Sequence, residues 1–294
     1  VPIPESSFWF DVFPRDPLSH KYVRHVLKSL LPFVGVGIAV YVLDRFTPVT
    51  MDIGIAPYEM AGAVLGVFLV LRTNSGYDRW WEARKLWGGI TNQCRSMATA
   101  AAAYGTDPVW KAEIICWITL FAHATRRHLR GEHELPEAMR LLRGPLAAEV
   151  PRSPHPPQMI AMHLARLLRE GSESGQLPDA ILMQMERDRV SLLDYMGGCE
   201  RIVKTPIPRA YNTIIRQFLV LFLVTLPFGI IQKVTWMTPF VTAFVGFPLL
   251  ALDEIGTELQ NPFALSQVNH LPLGQICQTI EDNLRELLPP AKQD

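Results

Sequence analysis

Three apolar residues, Ala63, Val67 and Leu71, stand at i, i+4 and i+8 in the segment MAGAVLGVFLVL (Met60–Leu71). On a helix they form one stripe, inclined slightly to the axis. When several copies of one helix contribute such a stripe, the chemistry is that of a gate: a narrow apolar constriction blocks ions by dewetting. Ordinary packing of an apolar helix is the other reading of the same residues. Gly62 and Gly66 lie in this segment at GxxxG spacing, with Ala63 also small. Small residues let helix backbones approach closely inside a membrane.

Covalent chemistry has no comparable pattern. No nucleophile stands beside a base, no HExxH occurs, and no glycine-rich phosphate loop follows a strand, so an enzyme is not expected. Cys94, Cys116, Cys199 and Cys277 lie far apart, without a CxxC pair or a His at metal-ligand spacing. They read as reduced, buried thiols, with neither a metal nor a cofactor expected. His123, His128 and His133 recur every five residues, a rotation of ~140° per step on a helix. They do not share a face and read as ordinary polar positions. Asp253, Glu254 and Glu258 either enrich cations by their field or pair with Arg72, Arg79 or Arg84; Asp78 and Glu82 leave the same choice open. Trp80, Trp81 and Trp87 suit a membrane interface, and Trp87 suits packing in a helical bundle equally well.

The elements that would position these residues follow from composition. The 294 residues hold 28 basic and 28 acidic side chains, 49% hydrophobic and 19% charged residues, with a mean hydropathy of +0.14. This excludes disorder, a basic nucleic-acid-binding domain and a disulfide scaffold, and it points to an integral membrane protein. The first 25 residues carry Asp11, Arg15, Asp16, Lys21 and Arg24 without an apolar run before a cleavage site, so no secretory leader is expected. Ser6 to Phe13 (SSFWFDVF) suits an interfacial anchor or a contact with a neighbouring subunit.

Apolar segments run from Ser29 to Leu43, from Met60 to Leu71, and from Gln217 to Leu252, where the only charge is Lys233 and Pro227, Pro239 and Pro248 lie inside. The last reads as two spans in a hairpin, and prolines within spans favour a bundle in which neighbours satisfy freed backbone groups. Between Pro57 and Pro108 no proline occurs, which predicts one helix running on from the second span. Twelve residues from Met60 to Leu71 cannot cross ~30 Å of hydrocarbon alone. A short, glycine-rich span of this kind fits best at the centre of an assembly, facing copies of itself.

Basic residues before the first span, after the second and before the third place both termini and residues 72–210 in the cytoplasm. The intracellular stretch holds 19 Lys+Arg and 15 Asp+Glu and reads as helices broken at prolines. The expected fold is an all-α membrane protein. Its segments are 1–28 (amino-terminal, interfacial or cytoplasmic), 29–71 (two spans), 72–210 (cytoplasmic helical domain), 211–252 (two further spans) and 253–294 (cytoplasmic carboxy-terminal segment).

Three blocks then carry a resemblance: LRTNSGYDRWWEARKLWG (Leu71–Gly88), GGCERIVKTPIP (Gly197–Pro208) and LDEIGTELQNPF (Leu252–Phe263). In this order, with apolar segments between them, the chain resembles the bestrophin family of ion channels, closest to its short bacterial members. Arg72, Trp80, Glu82, Arg84, Asn261, Pro262 and Phe263 are the motif positions. The resemblance implies a homopentamer around one central pore, four transmembrane helices per subunit and a helical cytoplasmic domain. It also implies a multi-pass protein of the bacterial inner membrane, whose partners are its own copies, the lipid bilayer and permeating monovalent ions. The ions are usually chloride and other anions, with cations an alternative in bacterial members.

Aligned on Arg72, the family's apolar neck falls on Ala63, Val67 and Leu71, where relatives commonly have Ile or Phe, so a wider or less hydrophobic neck is expected. The family's cytoplasmic aperture falls on Ala180 in GQLPDA. Animal members bind calcium just after NPF; here ALSQVNHLPLG follows without a carboxylate, which argues against calcium gating. A secondary transporter, which would show inverted repeats that this sequence lacks, and a nonconducting membrane scaffold are the rival classes.

Overall fold

The computed structural model describes residues 17–47 and 54–288, with side chains from residue 22 onward. The expected amino-terminal anchor at Ser6 to Phe13 lies outside the described residues. Within them every regular element is helical, and the chain divides into two compact units.

The first unit comprises the described residues up to Arg79 with residues 206–260 and 266–269. It contains α1 (Pro17–Phe46), the first part of α2 (Ala56–Tyr104), α8 (Arg209–Val234) and α9 (Thr238–Glu258), the last two joined by the short 3-10 turn Thr235–Met237. The stretches Tyr22–Phe46, Ala56–Tyr104 and Arg209–Glu258 are long and apolar enough to cross a membrane, and the third comprises α8, the turn and α9. The helix α2 spans 49 residues without a break, as the missing proline predicts.

Glycines set how closely these helices pack. A Cβ on Gly37 would lie 3.1 Å from Cα of Pro239, and one on Gly246 would lie 2.8 Å from Leu30. The contact of α1 with α9 is therefore a close backbone approach that larger residues would push apart. Phe33, Leu65, Leu69, Leu219, Phe222, Leu223 and Ile230 form the core of this unit. Outside that core, Leu31, Met60, Leu221, Phe240 and Phe244 are all exposed. An apolar exterior of this extent suits lipid or further copies rather than water.

The second unit comprises, of the described residues, 80–205, 261–265 and 270–288. It holds the remainder of α2, then α3 (Pro108–Arg130), α4 (Pro136–Leu141), α5 (Leu146–Glu149), α6 (Pro156–Glu173), α7 (Asp179–Lys204) and α10 (Leu273–Arg285). Prolines that break the pattern in the sequence open helices here, since a residue without an N–H costs nothing in a first turn. Asp107 caps α3 by accepting from the backbone N–H of Val109 and Trp110, and Gly131 ends it in the left-handed region at φ 70°.

Helix α3 is buried nearly all round, with Ile114, Ile118, Phe121 and Leu120 inside a core that also takes Trp87, Leu164, Leu192 and Ile280. Trp87 thus packs within the bundle. Tyr195 lies over Gly89 and Leu86 over Gly198, where a Cβ would meet them at 2.6 and 2.8 Å. The free cysteines Cys94, Cys199 and Cys277 are buried and Cys116 is half-buried.

Buried charge in this unit gathers mainly around Glu281; a second buried carboxylate, Asp188, accepts from Ser96 at 2.7 Å and from Gln184 at 3.0 Å. The buried Glu281 accepts from both terminal nitrogens of Arg140, from His123 Nε2 at 2.9 Å and from Arg285 at 2.6 Å. Glu137 accepts from Arg126 and twice from Arg127 at 2.8–2.9 Å. The hydrogen bonds from Arg140 hold Glu281 below its ordinary range. Burial alone would raise Glu137, but Arg127 outweighs it and holds the carboxyl at about 2. Burial also lowers His123, favouring its neutral form.

In each case the unfolded chain binds the proton more readily, so acid opposes folding. The stabilisation by the carboxylates is present above their ordinary pKa near 4.5 and is lost as pH falls towards about 2. Protonation of His123 adds to the loss below its ordinary 6.5. Unfolding of the detergent-solubilised protein should therefore shift to lower temperature as pH is lowered from 7 to 3. Glu281→Gln is expected to cost about 1–3 kcal/mol at neutral pH and to flatten that pH profile.

Candidate functional site: the open face of the long helix

In the first part of α2 the residues sort by face. Leu65 and Leu69 are fully buried, as are Arg72 and Gly76, whereas Val67 is 59% and Leu71 50% exposed and Ala63 is exposed too. Two residues on a helix are about 200° apart, and Ala63, Val67 and Leu71 each stand two positions from a buried leucine. The stripe is therefore the face turned directly away from the subunit's own core. Gly62 lies between the two faces with Phe222 of α8 3.4 Å from where its Cβ would be, and Gly66 has nothing within 4 Å.

The rotation of α2 is held by polar contacts that begin one residue after the stripe. Arg72, 1% exposed, pairs through Nη1 with Asp253 of α9 and donates from Nη2 to Thr257 Oγ1 at 2.8 Å. Arg216 of α8 donates to the other oxygen of Asp253 at 3.0 Å and to the same Thr257 hydroxyl at 2.9 Å. That hydroxyl donates in turn to the Asp253 carbonyl. One carboxylate thus joins three helices.

Further along, Gly76 lets α2 approach α9, with a Cβ placed 3.0 Å from Leu259 and 3.2 Å from the Gly256 carbonyl. Arg79 donates to the carbonyl of Gln260 at 3.2 Å. Two sequence blocks that looked like separate motifs, Leu71–Gly88 and Leu252–Phe263, meet here in pairs of residues. The expected pairing of acids with bases holds for Asp253 with Arg72. Glu254 instead lies 3.8 Å from His25, and Glu258 accepts from Asn269 at 2.9 Å. Arg216 and Thr257 were not singled out in the sequence; their only signal was a basic residue opening an apolar span and a hydroxyl one turn after Asp253.

In the second unit, Ala180 is exposed at the second position of α7. The turn before it is held by Gly175 at φ 71°, by Leu177 N–H on the Gly171 carbonyl at 2.9 Å, and by Ser172 donating to Asp179 at 2.9 Å. Asn261, Pro262 and Phe263 form a clamp: the Asn261 side chain accepts from Phe263 N–H at 3.2 Å, and the Pro262 carbonyl accepts from Leu271 N–H at 2.7 Å. The Phe263 ring is buried in the core. On α2, Trp80 is partly buried and packs against that core, while Glu82 and Arg84 are exposed. The histidines of α3 are not ordinary polar positions. His123 lies in the buried charge cluster, and His128 meets His155 and Glu200.

Comparison with known proteins shows the family and the fold. The family model for bacterial and fungal bestrophin proteins matches residues 7–286. A voltage-dependent anion channel-forming protein of Ralstonia nicotianae is 33% identical over 271 residues, covering 90% of this chain and 88% of the relative. One of the same description from Synechocystis is 36% identical over 237 residues, covering 78% and 77%. The crystal structure of a bacterial bestrophin homologue from Klebsiella pneumoniae superposes with a TM-score of 0.83 at 28% identity, over 89% of this chain and 98% of the other.

The clamp at Arg72 separates two expectations. Asp253→Ala leaves a buried guanidinium without its counter-charge and should destabilise the protein by about 3–5 kcal/mol. Arg216→Ala removes a partner that is about half exposed and should cost no more than about 1 kcal/mol. Thermal unfolding of the two variants in detergent measures the difference, and equal losses would contradict the assigned geometry.

Proposed function

Because the chain belongs to the bestrophin family of bacteria and fungi, a family of ion channels and not of enzymes, we propose that it forms a homopentameric channel passing monovalent ions passively. One observation carries this reading: the apolar stripe Ala63, Val67 and Leu71 is left open on the side of α2 opposite its buried leucines. From Ala56 to Leu71 the helix rises about 24 Å, less than the ~30 Å of hydrocarbon. A short span whose outer face is apolar yet unpartnered is accounted for when five copies face one another around an axis.

In this reading α1, the first part of α2, α8 and α9 are the four transmembrane helices. Residues 29–71 and 211–252 lie within the membrane of the cell, the inner membrane of a bacterium. Both termini and residues 72–210 are cytoplasmic, as the positive-inside rule directs. Ala63, Val67 and Leu71 form the neck, Gly62 and Gly66 admit the neighbouring helix, and Ala180 lines an aperture further along the path. The neck acts by excluding water when narrow and conducting when wet. Ala63 and Val67 are small for that task, which makes the gate leaky.

We assign anions, chloride first, because the relatives are described as anion channel-forming proteins. Below the neck the open face of α2 presents Asn74, Asp78, Lys85 and Arg95, all exposed, so charge of both signs lies along it. The reversal potential of the purified protein in planar bilayers under a NaCl gradient should follow chloride; one that follows sodium reverses the assignment of sign. In liposomes, flux that saturates and needs a counter-ion would indicate a transporter, and no flux a scaffold.

The neck assignment has its own test. Ala63→Ile and Val67→Phe together should lower single-channel current severalfold, whereas enlargement of the exposed Val42 of α1 to Phe should not. Unchanged current in the double variant would displace the neck from this stripe.

A further inference from the structure

We propose that His128, His155 and Glu200 form a binding site for a divalent transition-metal ion of the zinc class. The three residues come from separate elements of the second unit: His128 from the last turn of α3, His155 from the position that caps α6, and Glu200 from near the end of α7. Their ligating atoms all lie within 4.8 Å of one another. Both imidazoles aim Nε2 at the same carboxylate oxygen, Glu200 Oε1, at 2.8 Å from His128 and 2.7 Å from His155. The two rings are 4.3 Å apart.

Two imidazole nitrogens and one carboxylate oxygen select among metals. Calcium and magnesium require shells built mainly of oxygen, six or more ligands in all. Zinc and its neighbours take nitrogen and oxygen donors, and three protein ligands with one open position is an established zinc geometry. His128 also lines a cleft of about 300 Å³, together with Arg127, Glu132, His133 and Ser153. All three ligands are partly exposed, so an ion from solution can reach them.

The surroundings supply what a metal-binding trio needs beyond its ligands. Lys204 Nζ lies 2.7 Å from the other oxygen, Glu200 Oε2, and so orients the carboxylate while leaving Oε1 to the ion. Its positive charge opposes a cation, but the side chain is largely exposed and its charge is screened by water. His155 Nδ1 now accepts from the Gln158 N–H at 3.2 Å, an exposed contact. Ligation through Nε2 puts the ring proton on Nδ1, and the Gln158 N–H turns to water. A bound ion would tie α3, α6 and α7 together, independently of whether the chain conducts.

The test uses the full chain without a histidine tag, in detergent, stripped with a chelator and dialysed. Calorimetric titration with zinc chloride should give one ion per subunit, and cobalt(II) should give the intense visible bands of a four- or five-coordinate site. His128→Gln combined with His155→Gln, which keeps polar side chains at both positions, should lose the stoichiometric ion and the bands, while the exposed His25→Gln retains both. Apo wild-type chain that takes up no zinc and gives no cobalt bands overturns the proposal. So does a double variant that binds as wild type does. Should the double variant fail to fold, the wild-type cobalt spectrum and the single variant Glu200→Gln, expected to bind at least tenfold more weakly, decide the matter.

Discussion

A guanidinium removed from water is strongly unfavourable unless a carboxylate and further acceptors surround it. Arg72 has both, in Asp253 and Thr257, and neither is near it in sequence. Because the side chain is almost wholly enclosed, α2 cannot turn about its axis without exposing or unpairing it. Rotation by one residue, about 100°, would bring Gly66 or Phe68 to where Val67 stands. The open face is thus decided by an interaction that does not touch it. The same carboxylate receives Arg216, so α8 is held to the same reference point.

The two units solve burial differently. In the first, glycines and leucines close the space between a few long helices, and the outside is as apolar as the inside. Without a contrast in polarity between core and surroundings, position within this unit rests on close fit and on the few polar contacts between helices. In the second, an apolar core surrounds α3, and the buried carboxylates are met by hydrogen-bond donors, as at Glu281 and Asp188. The helix α2 runs through both units with one unbroken backbone; its buried residues include Leu69 and Arg72 in the first and Ala83, Trp87, Ile90 and Cys94 in the second.

Much of this was legible beforehand. Apolar length marks the spans, prolines mark where helices open, and a fifty-residue interval without proline marks α2. The stripe Ala63, Val67 and Leu71 follows from helical spacing, though spacing alone does not say which way a stripe faces. Arg72 with Asp253 was a stated pairing among several. Arg216, Thr257 and the meeting of His128 with His155 and Glu200 were not legible, because contacts between residues 27 to 185 positions apart leave no period in the sequence. The histidines of α3 show the difference clearly. Their spacing correctly excludes a shared face, yet each face meets its own partner.

By itself, the sequence determined that the chain is helical and suited to membranes, which family it belongs to, and which residues line each helix face. These are local properties: helical period, hydrocarbon thickness and the missing N–H of proline act within a turn or a span. Only the tertiary structure decided which face of α2 is closed and which is open, and which charges and imidazoles meet. Those outcomes depend on the paired desolvation of groups from distant segments, a free energy that exists only once the helices are packed.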